Sequence, residues 1–450
     1  MLDLTSMQRH NLSHLEAWFK KNDRMPLIIR GARQVGKSTL VRLFCEAYQL
    51  DLLEINLERG LLKSVDKEHV KLEEVLDEIQ LRTQKKWHNR SVIFLDEIQE
   101  QPSLIKFLRY FYEERPDIAV ISAGSLLEIA LKDEKFSFPV GRVEFQHLGP
   151  MTFTEFLQAT GHQFLAEKIL SKDFSDAVND LAKNEFRNYL YVGGMPQAVK
   201  VYVETKSLLR AREIQEQILQ TYMADFPKYN QKINYDRIQR VFKSAGHQLG
   251  KKLIYQRLDE HSQSRDVRRI VELLIDARVL LPCFHSDGNS VPLGGESDLS
   301  IQKIYFLDIG LINCLIKTDL EVIDSEMKND FNTKGMLAEQ FVAQHLAYLD
   351  GPFQPPHLHY WLRDKGPQKG EVDFLIEKGQ KIIPVEVKST SIGHMKSLFY
   401  FIKEKNKTDA IRLSLAVFSK QDISHKIENK IVSGQLTNLP IWAVETILNA

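Results

Sequence analysis

Two groups of residues in this 450-residue chain have the types and spacing of reactive sites. The first is Gly31-Ala32-Arg33-Gln34-Val35-Gly36-Lys37-Ser38-Thr39, which fits G-x-x-x-x-G-K-[ST]. Gly31 and Gly36 let backbone N–H groups turn toward phosphate, and the helix start that follows, with Ser38 and Thr39, adds positive potential. Lys37 reaches the terminal phosphates of a nucleotide, and Ser38 holds Mg2+. Such a loop needs an acid at the end of a neighbouring strand, and the apolar run Ser91 to Leu95 ends in Asp96-Glu97. Asp96 orients the magnesium through water, and Glu97 polarises the attacking water.

The second group lies between Gly370 and Thr390. Alternation places Val372, Phe374 and Ile376 on one strand face, and a turn at Glu377 to Gln380 folds the chain into a hairpin. Ile383, Val385 and Val387 then join the apolar face, while Asp373, Glu386 and Lys388 emerge together on the other. Two carboxylates on adjacent strands bind a hard cation such as Mg2+ or Mn2+, and a nearby lysine orients or activates water. The helical pattern Gly335 to Val342 adds Glu339 as a third acid. The competing reading is a solvated ladder in which Glu386 and Lys388 pair with Lys381 or Glu371.

The elements that position these residues are legible as patterns. Met25 to Arg30 is a short strand feeding the glycine loop, and Leu40, Val41, Leu43 and Phe44 continue it as a helix. Ile118 to Ile121 is a further strand ending at Ser122-Ala123-Gly124-Ser125, so Ser122 or Ser125 senses the γ-phosphate, or both are turn and cap residues. Arg142 is a candidate phosphate contact, in cis or from a neighbouring subunit, or an ordinary surface arginine. Helical patterns over Tyr235 to Gly246, Leu253 to Glu260 and Val267 to Ala277 precede two strands, Val279 to Leu281 and Ile304 to Leu307, which together read as a winged helix. Arg265, Arg268 and Arg269 face DNA phosphate in that reading, and a packing or protein-contact role is its equal competitor. Tyr360, Trp361 and Arg363 are candidates for nucleic-acid contact, with Trp361 assigned to the core.

Length bounds the rest: 450 residues exceed one core and predict roughly two to four domains. Sixty basic residues balance 60 acidic ones, so the net charge is zero and any polyanion site is local. Cys45, Cys283 and Cys314 lie far apart without a Cys-x-x-Cys pair, which fits a reducing cytoplasm and argues against a disulfide framework or cysteine-rich zinc site. No signal core or membrane-length apolar run is present, so no membrane association is expected.

With Tyr191-Val192-Gly193-Gly194-Met195-Pro196, Asp308-Ile309-Gly310-Leu311 and Leu148-Gly149-Pro150-Met151-Thr152-Phe153-Thr154-Glu155-Phe156, these motifs resemble the prokaryotic AAA+ type ATPases that carry a C-terminal domain of unknown function. The resemblance spans most of the chain and implies ATP binding and hydrolysis at Gly36, Lys37, Ser38, Asp96 and Glu97. The Glu371-Val372-Asp373 and Glu386-Val387-Lys388 pattern is similar to the PD-(D/E)xK restriction-endonuclease-like superfamily, which implies a metal-dependent nuclease-like site. The expected fold is α/β: a P-loop AAA+ type core with helical lid (1–225), a winged-helix middle domain (226–322) and a restriction-endonuclease-like C-terminal α/β domain (323–450). The expected function is ATP hydrolysis that gates a module acting on DNA, with homo-oligomerisation open. The alternative is a nucleotide switch or protein-interaction ATPase with a non-cleaving C-terminal docking domain.

Overall fold

Five short strands, the central three apolar and buried and the two edge strands partly exposed, form the first sheet: β1 (Leu27–Arg30), β2 (Asp51–Asn56), β3 (Ser91–Asp96), β4 (Ala119–Gly124) and β5 (Glu144–His147). Every neighbouring pair is parallel, in the order β2-β3-β4-β1-β5. Parallel strands require crossovers that cover the faces. Helices α1 (Asn11–Phe19), α2 (Lys37–Ala47), α3 (Leu72–Thr83) and α4 (Pro102–Glu114) supply that cover. The crossover after β1 leads past β4 and β3 to β2, whereas β5 lies on the other side of β1. Divergence of this kind opens a crevice at the carboxyl end of the central strand. The computed structural model describes residues 9–66, 70–125, 127, 141–229, 234–329, 331, 335–364, 368–387, 395–427 and 430–449. Lys388 lies outside them.

A helical segment follows: α5 (Phe153–Ala159), α6 (Gln163–Leu170), α7 (Asp176–Val192), α8 (Pro196–Thr205) and α9 (Leu208–Tyr229). The side chain of Thr152 accepts from the Glu155 N–H, and Glu155 reaches back to the Thr152 N–H, a reciprocal cap that fixes the start of α5. Gly194 is required between α7 and α8, because a Cβ there would stand 2.1 Å from the Met151 carbonyl oxygen. Its N–H donates to Asp308 Oδ2 at 2.6 Å, so the two glycine-containing motifs meet.

The middle segment departs from the expected three helices and wing. Helices α10 (Tyr235–Ala245) and α11 (Ser264–Asp276) form, but Leu253 to Glu260 holds only a 3-10 turn, Tyr255–Arg257. Its backbone is captured elsewhere: Leu253 N–H donates to the Gln302 carbonyl at 2.8 Å, and Lys252 bridges Lys303. The hairpin β6 (Leu280–Ser286) and β7 (Ser297–Phe306) does not stand apart as a wing. Through β6 it pairs in parallel with β8 (Leu358–Arg363), becoming one end of an eight-stranded sheet. The others are β9 (Gly370–Lys378), β10 (Lys381–Val387), β11 (Asp409–Ser414), β12 (Ser419–Ile427) and β13 (Lys430–Pro440), ordered β12-β13-β11-β10-β9-β8-β6-β7. Residues 226–322 and 323–450 therefore share a sheet. Helices α12 (Ile309–Leu315), α13 (Leu320–Lys328), α14 (Met336–Leu346) and α15 (Lys396–Lys405) complete this half.

The β9–β10 hairpin has the expected register: Ile376 faces Ile383, and Lys378 faces Lys381 across the two residues Gly379 and Gln380. The expected faces need one correction. The β8–β9 pairing shifts between His359–Leu375 and Trp361–Val372, so β9 carries an extra residue there. Such a bulge reverses alternation locally. Val372 consequently packs with Leu375 and Trp361, while Phe374, Ile376, Ile383, Val385 and Val387 belong to the main core. That core runs from Leu15 to Ile447 through both halves. Among the described residues, no helix is long and apolar enough to cross a membrane.

Candidate functional site

The carboxyl ends of β1, β3 and β4 bring the first set of residues together. Gly36 takes φ +93°, a left-handed conformation that turns the loop into α2 and that glycine adopts without a Cβ penalty. Lys37 is buried, and its ammonium donates to the carbonyls of Gly31 at 3.0 Å and Ala32 at 2.8 Å. Burial pulls its pKa down to about 8, against the attraction of Glu97 and Asp96. Ser38 Oγ donates to Asp96 Oδ2 at 2.8 Å. Burial raises the Asp96 pKa despite that bond, and its buried Oδ1 has no hydrogen-bond partner among the described residues. A serine hydroxyl beside a carboxylate with an unsatisfied oxygen is a donor set that fits magnesium.

Glu97 stands at φ 54°, just past the end of β3. Its Oε2 accepts from Ser125 Oγ at 3.2 Å and from Gln99 Nε2 at 2.7 Å. Ser125 is therefore at the site. Ser122 is not: it is buried within β4 between Ile28 and Leu95, with its hydroxyl directed to the Leu27 carbonyl at 3.4 Å. Inward position in the strand, three residues before the loop, removes it from phosphate. Arg142 precedes β5 at the amino edge of the parallel sheet, opposite the P-loop, where it pairs with Glu113 at 2.9 Å and stands over the Tyr112 ring. The in-cis contact is excluded by that placement.

A cavity of about 510 Å³ adjoins the loop, lined by Lys37, Ser38, Thr39 and Glu97. The sequence reading missed its other walls. Arg33 and Arg42 come from the loop and α2, and Gln197 and Lys200 come from α8, where the preceding Gly-Gly-Met-Pro turn is the only signal that a helix start faces this way. Arg9 was also missed. Its buried guanidinium donates to Val35 O at 3.0 Å and Gly149 O at 2.8 Å and pairs with Glu155 at 3.0 Å.

At the second site the structure joins some of the expected residues and adds an unexpected one. Glu339 and Asp373 are buried, with Tyr305 Oη donating to Glu339 Oε2 at 3.3 Å and Val387 N–H to Asp373 Oδ2 at 2.8 Å. Lys303 of β7, fully buried, enters this cluster and pairs with Glu371 Oε1 at 2.5 Å. Burial pulls the Lys303 pKa down, but Glu371, Glu339 and Asp373 outweigh it, and the pKa rises. Glu386 lies across from Arg412 in the β10–β11 register. Among the described residues, no group of three or more His, Cys, Asp or Glu side chains is placed to hold a metal ion. The lysine's one sequence signal is a charge inside the apolar run Ile301 to Phe306.

The nucleic-acid candidates divide. Arg265, Arg268 and Arg269 are exposed on the first half of α11, with Arg268 held by Glu272 at 2.8 Å. Tyr360 and Trp361 are buried, so neither stacks on a base, and Arg363 is paired with Glu404 at 2.6 Å.

Three segments match described families: residues 23–157 match "AAA domain", residues 183–321 "Domain of unknown function (DUF8612)" and residues 334–440 "Domain of unknown function (DUF4143)". No curated protein is significantly similar to the chain. Among solved structures, the Walker-type ATPase paby2304 of Pyrococcus abyssi is 15% identical, with 69% of this chain and 96% of that one covered and a TM-score of 0.42. The RuvB Holliday junction branch migration motor of Thermotoga maritima is 14% identical, with 61% and 89% covered and a TM-score of 0.31. The segment that carries Lys37, Ser38, Asp96 and Glu97 is thus an AAA-type P-loop domain.

Proposed function

We propose that the protein binds and hydrolyses ATP with Mg2+, and that the nucleotide state governs the half of the molecule built on the eight-stranded sheet. The observation that carries this reading is the convergence of Lys37, Ser38, Asp96 and Glu97 at one sheet edge beside a cavity. Gly31, Gly36 and Thr39 shape the phosphate cradle, and Lys37 exchanges its two carbonyl partners for phosphate. Ser38, and Asp96 through water, would hold magnesium, which would supply charge neutralisation on the phosphates. Glu97 accepts the proton of the attacking water, and Ser125 holds Glu97 in place. Arg142, paired with Glu113, is either an ordinary surface arginine or a contact to a nucleotide bound in a neighbouring subunit. Phosphate release tests the reading: Lys37→Ala and Glu97→Gln are expected to lose on the order of 10²-fold or more in rate. Unchanged hydrolysis in both would refute it.

The finer reading joins an ATPase domain with helical lid (1–225) to a module acting on DNA, in which residues 226–322 and the PD-(D/E)xK nuclease-like residues of 323–450 share one sheet. The exposed Arg265, Arg268 and Arg269 support DNA contact. One observation favours the alternative of a docking module without cleavage: Lys303 supplies, within the acidic cluster, positive charge that a nuclease obtains from metal. Incubation with plasmid DNA and Mg2+ or Mn2+, beside Asp373→Ala, separates the two. Metal-dependent cleavage lost in the variant supports the nuclease, and absence of cleavage together with absence of salt-sensitive DNA binding supports docking.

A further inference from the structure

We infer that Arg33 is a catalytic residue of ATP hydrolysis, contacting the γ-phosphate in cis, and that Asp225 is its positioning residue. The inference rests on the ATPase reading above and adds to it the source of the charge that stabilises the transition state. Hydrolysis forms a bond from water oxygen to the γ-phosphorus and breaks the bond to the β–γ bridging oxygen, whose electron pair leaves with ADP while Glu97 takes the water proton. Charge spreads over the transferring phosphoryl oxygens, so a fixed cation beside them accelerates the step. Arg142, at the opposite sheet edge, cannot supply it within the same subunit.

Arg33 is placed to do so. It lies in the phosphate loop itself, four residues before Lys37, and both line the same cavity. Its Nε donates to Ser125 Oγ at 3.3 Å, and that hydroxyl donates to Glu97 Oε2 at 3.2 Å, so the guanidinium is one hydroxyl away from the carboxylate that activates water. The helical segment aims it. Asp225, almost wholly buried on α9, pairs with Arg33 Nη1 at 2.5 Å, and Tyr222, also on α9, donates its hydroxyl to the Arg33 carbonyl at 2.6 Å. Glu58 stands 3.5 Å from Nη2. A guanidinium has five N–H donors in a planar fork, enough to keep Asp225 and still present donors to phosphate oxygens. Its side-chain partners come from separate places, Ser125 just past β4, Glu58 just past β2 and Asp225 on α9, so the side chain is fixed before nucleotide arrives.

The test compares wild type with Arg33→Ala, Arg33→Lys and Asp225→Asn in the full chain, each checked for an unchanged thermal transition. Equilibrium binding of a fluorescent ATP analogue and of ADP is measured beside single-turnover hydrolysis and trapping of ADP with aluminium fluoride. Arg33→Ala is expected to bind both nucleotides within about threefold of wild type while the hydrolytic rate falls on the order of 10²- to 10³-fold and trapping is lost. Lysine at this position, a point charge without the fork, is expected to restore no more than about a tenth of the rate. Asp225→Asn lowers kcat several-fold at unchanged Kd, because the guanidinium loses its anchor and not its charge. A wild-type rate per molecule that stays constant on dilution is expected of a contact made in cis. An active wild type with an equally active Arg33→Ala overturns the assignment, as does a variant whose hydrolytic loss is matched by an equal loss of ADP and ATP binding. Wild type that binds ATP without hydrolysing it overturns the ATPase reading itself.

Discussion

Lys37 is held as a cation in a buried place, and the consequence is measurable. Its pKa is about 8, whereas an unfolded lysine titrates near 10.5, so the unfolded chain holds more protons between these values. Native stability should therefore gain from this group as pH rises from about 8 to 10.5, and the gain should vanish in Lys37→Met when denaturation midpoints are compared. Nucleotide binding follows the opposite direction. Only the ammonium form attracts phosphate, so ATP affinity is expected to be flat below about pH 7 and to fall by up to tenfold per unit above 8. Titration of a fluorescent nucleotide across that range checks it.

At the scale of elements, the meeting of the Gly-Gly-Met-Pro and Asp-Ile-Gly-Leu motifs carries the joint between α7, α8 and α12. Asp308 accepts from the Gly194 N–H and the Leu311 N–H, and burial raises its pKa to about 6. A Cβ at Gly194 meets backbone, which has no flexible end to yield. Gly194→Ala is expected to lower stability by roughly 2–4 kcal/mol, read as a fall in Tm, with a loss of ATPase activity at temperatures where wild type is folded. These motifs were visible in the sequence, but their contact was not, since 114 positions separate Gly194 from Asp308.

The same distinction explains what else was legible. The phosphate loop, the Asp96-Glu97 strand end and the β9–β10 register are local, set by spacing and by alternation over a few residues. The bulge in β9, the failure of Leu253 to Glu260 to form a helix, and the arrival of Lys303 beside Glu371 are decided by partners far along the chain. Periodicity cannot report a competitor that lies in another strand. Ser122 and Ser125 illustrate the limit within four residues: both are buried, but Ser122 is enclosed within β4 whereas Ser125, just past its end, meets Glu97.

At the scale of the whole molecule, the two halves share one interior. Phe153, Phe186 and Tyr189 of the helical segment all pack on Phe341 of α14, with the Phe186 ring at 4.7 Å. Large aromatic contacts of this kind carry much of a core's energy. Residues 1–225 expressed alone are therefore expected to show no cooperative thermal transition, whereas the full chain should unfold in a single calorimetric step. A soluble fragment with its own sharp transition would contradict the shared core. A polar path follows the same interface: Arg9 joins the Val35 carbonyl to Glu155, Thr154 next to it donates to Glu445 at 2.7 Å, and Phe153 N–H donates to His345 at 2.9 Å. The parallel pairing of β6 with β8 limits what such a path can move. Backbone hydrogen bonds fasten the arginine-bearing helix α11, through its following hairpin, to the strands that hold Asp373. Helix α11 and the acidic cluster are therefore tied into one body, so that a displacement of either carries the other with it.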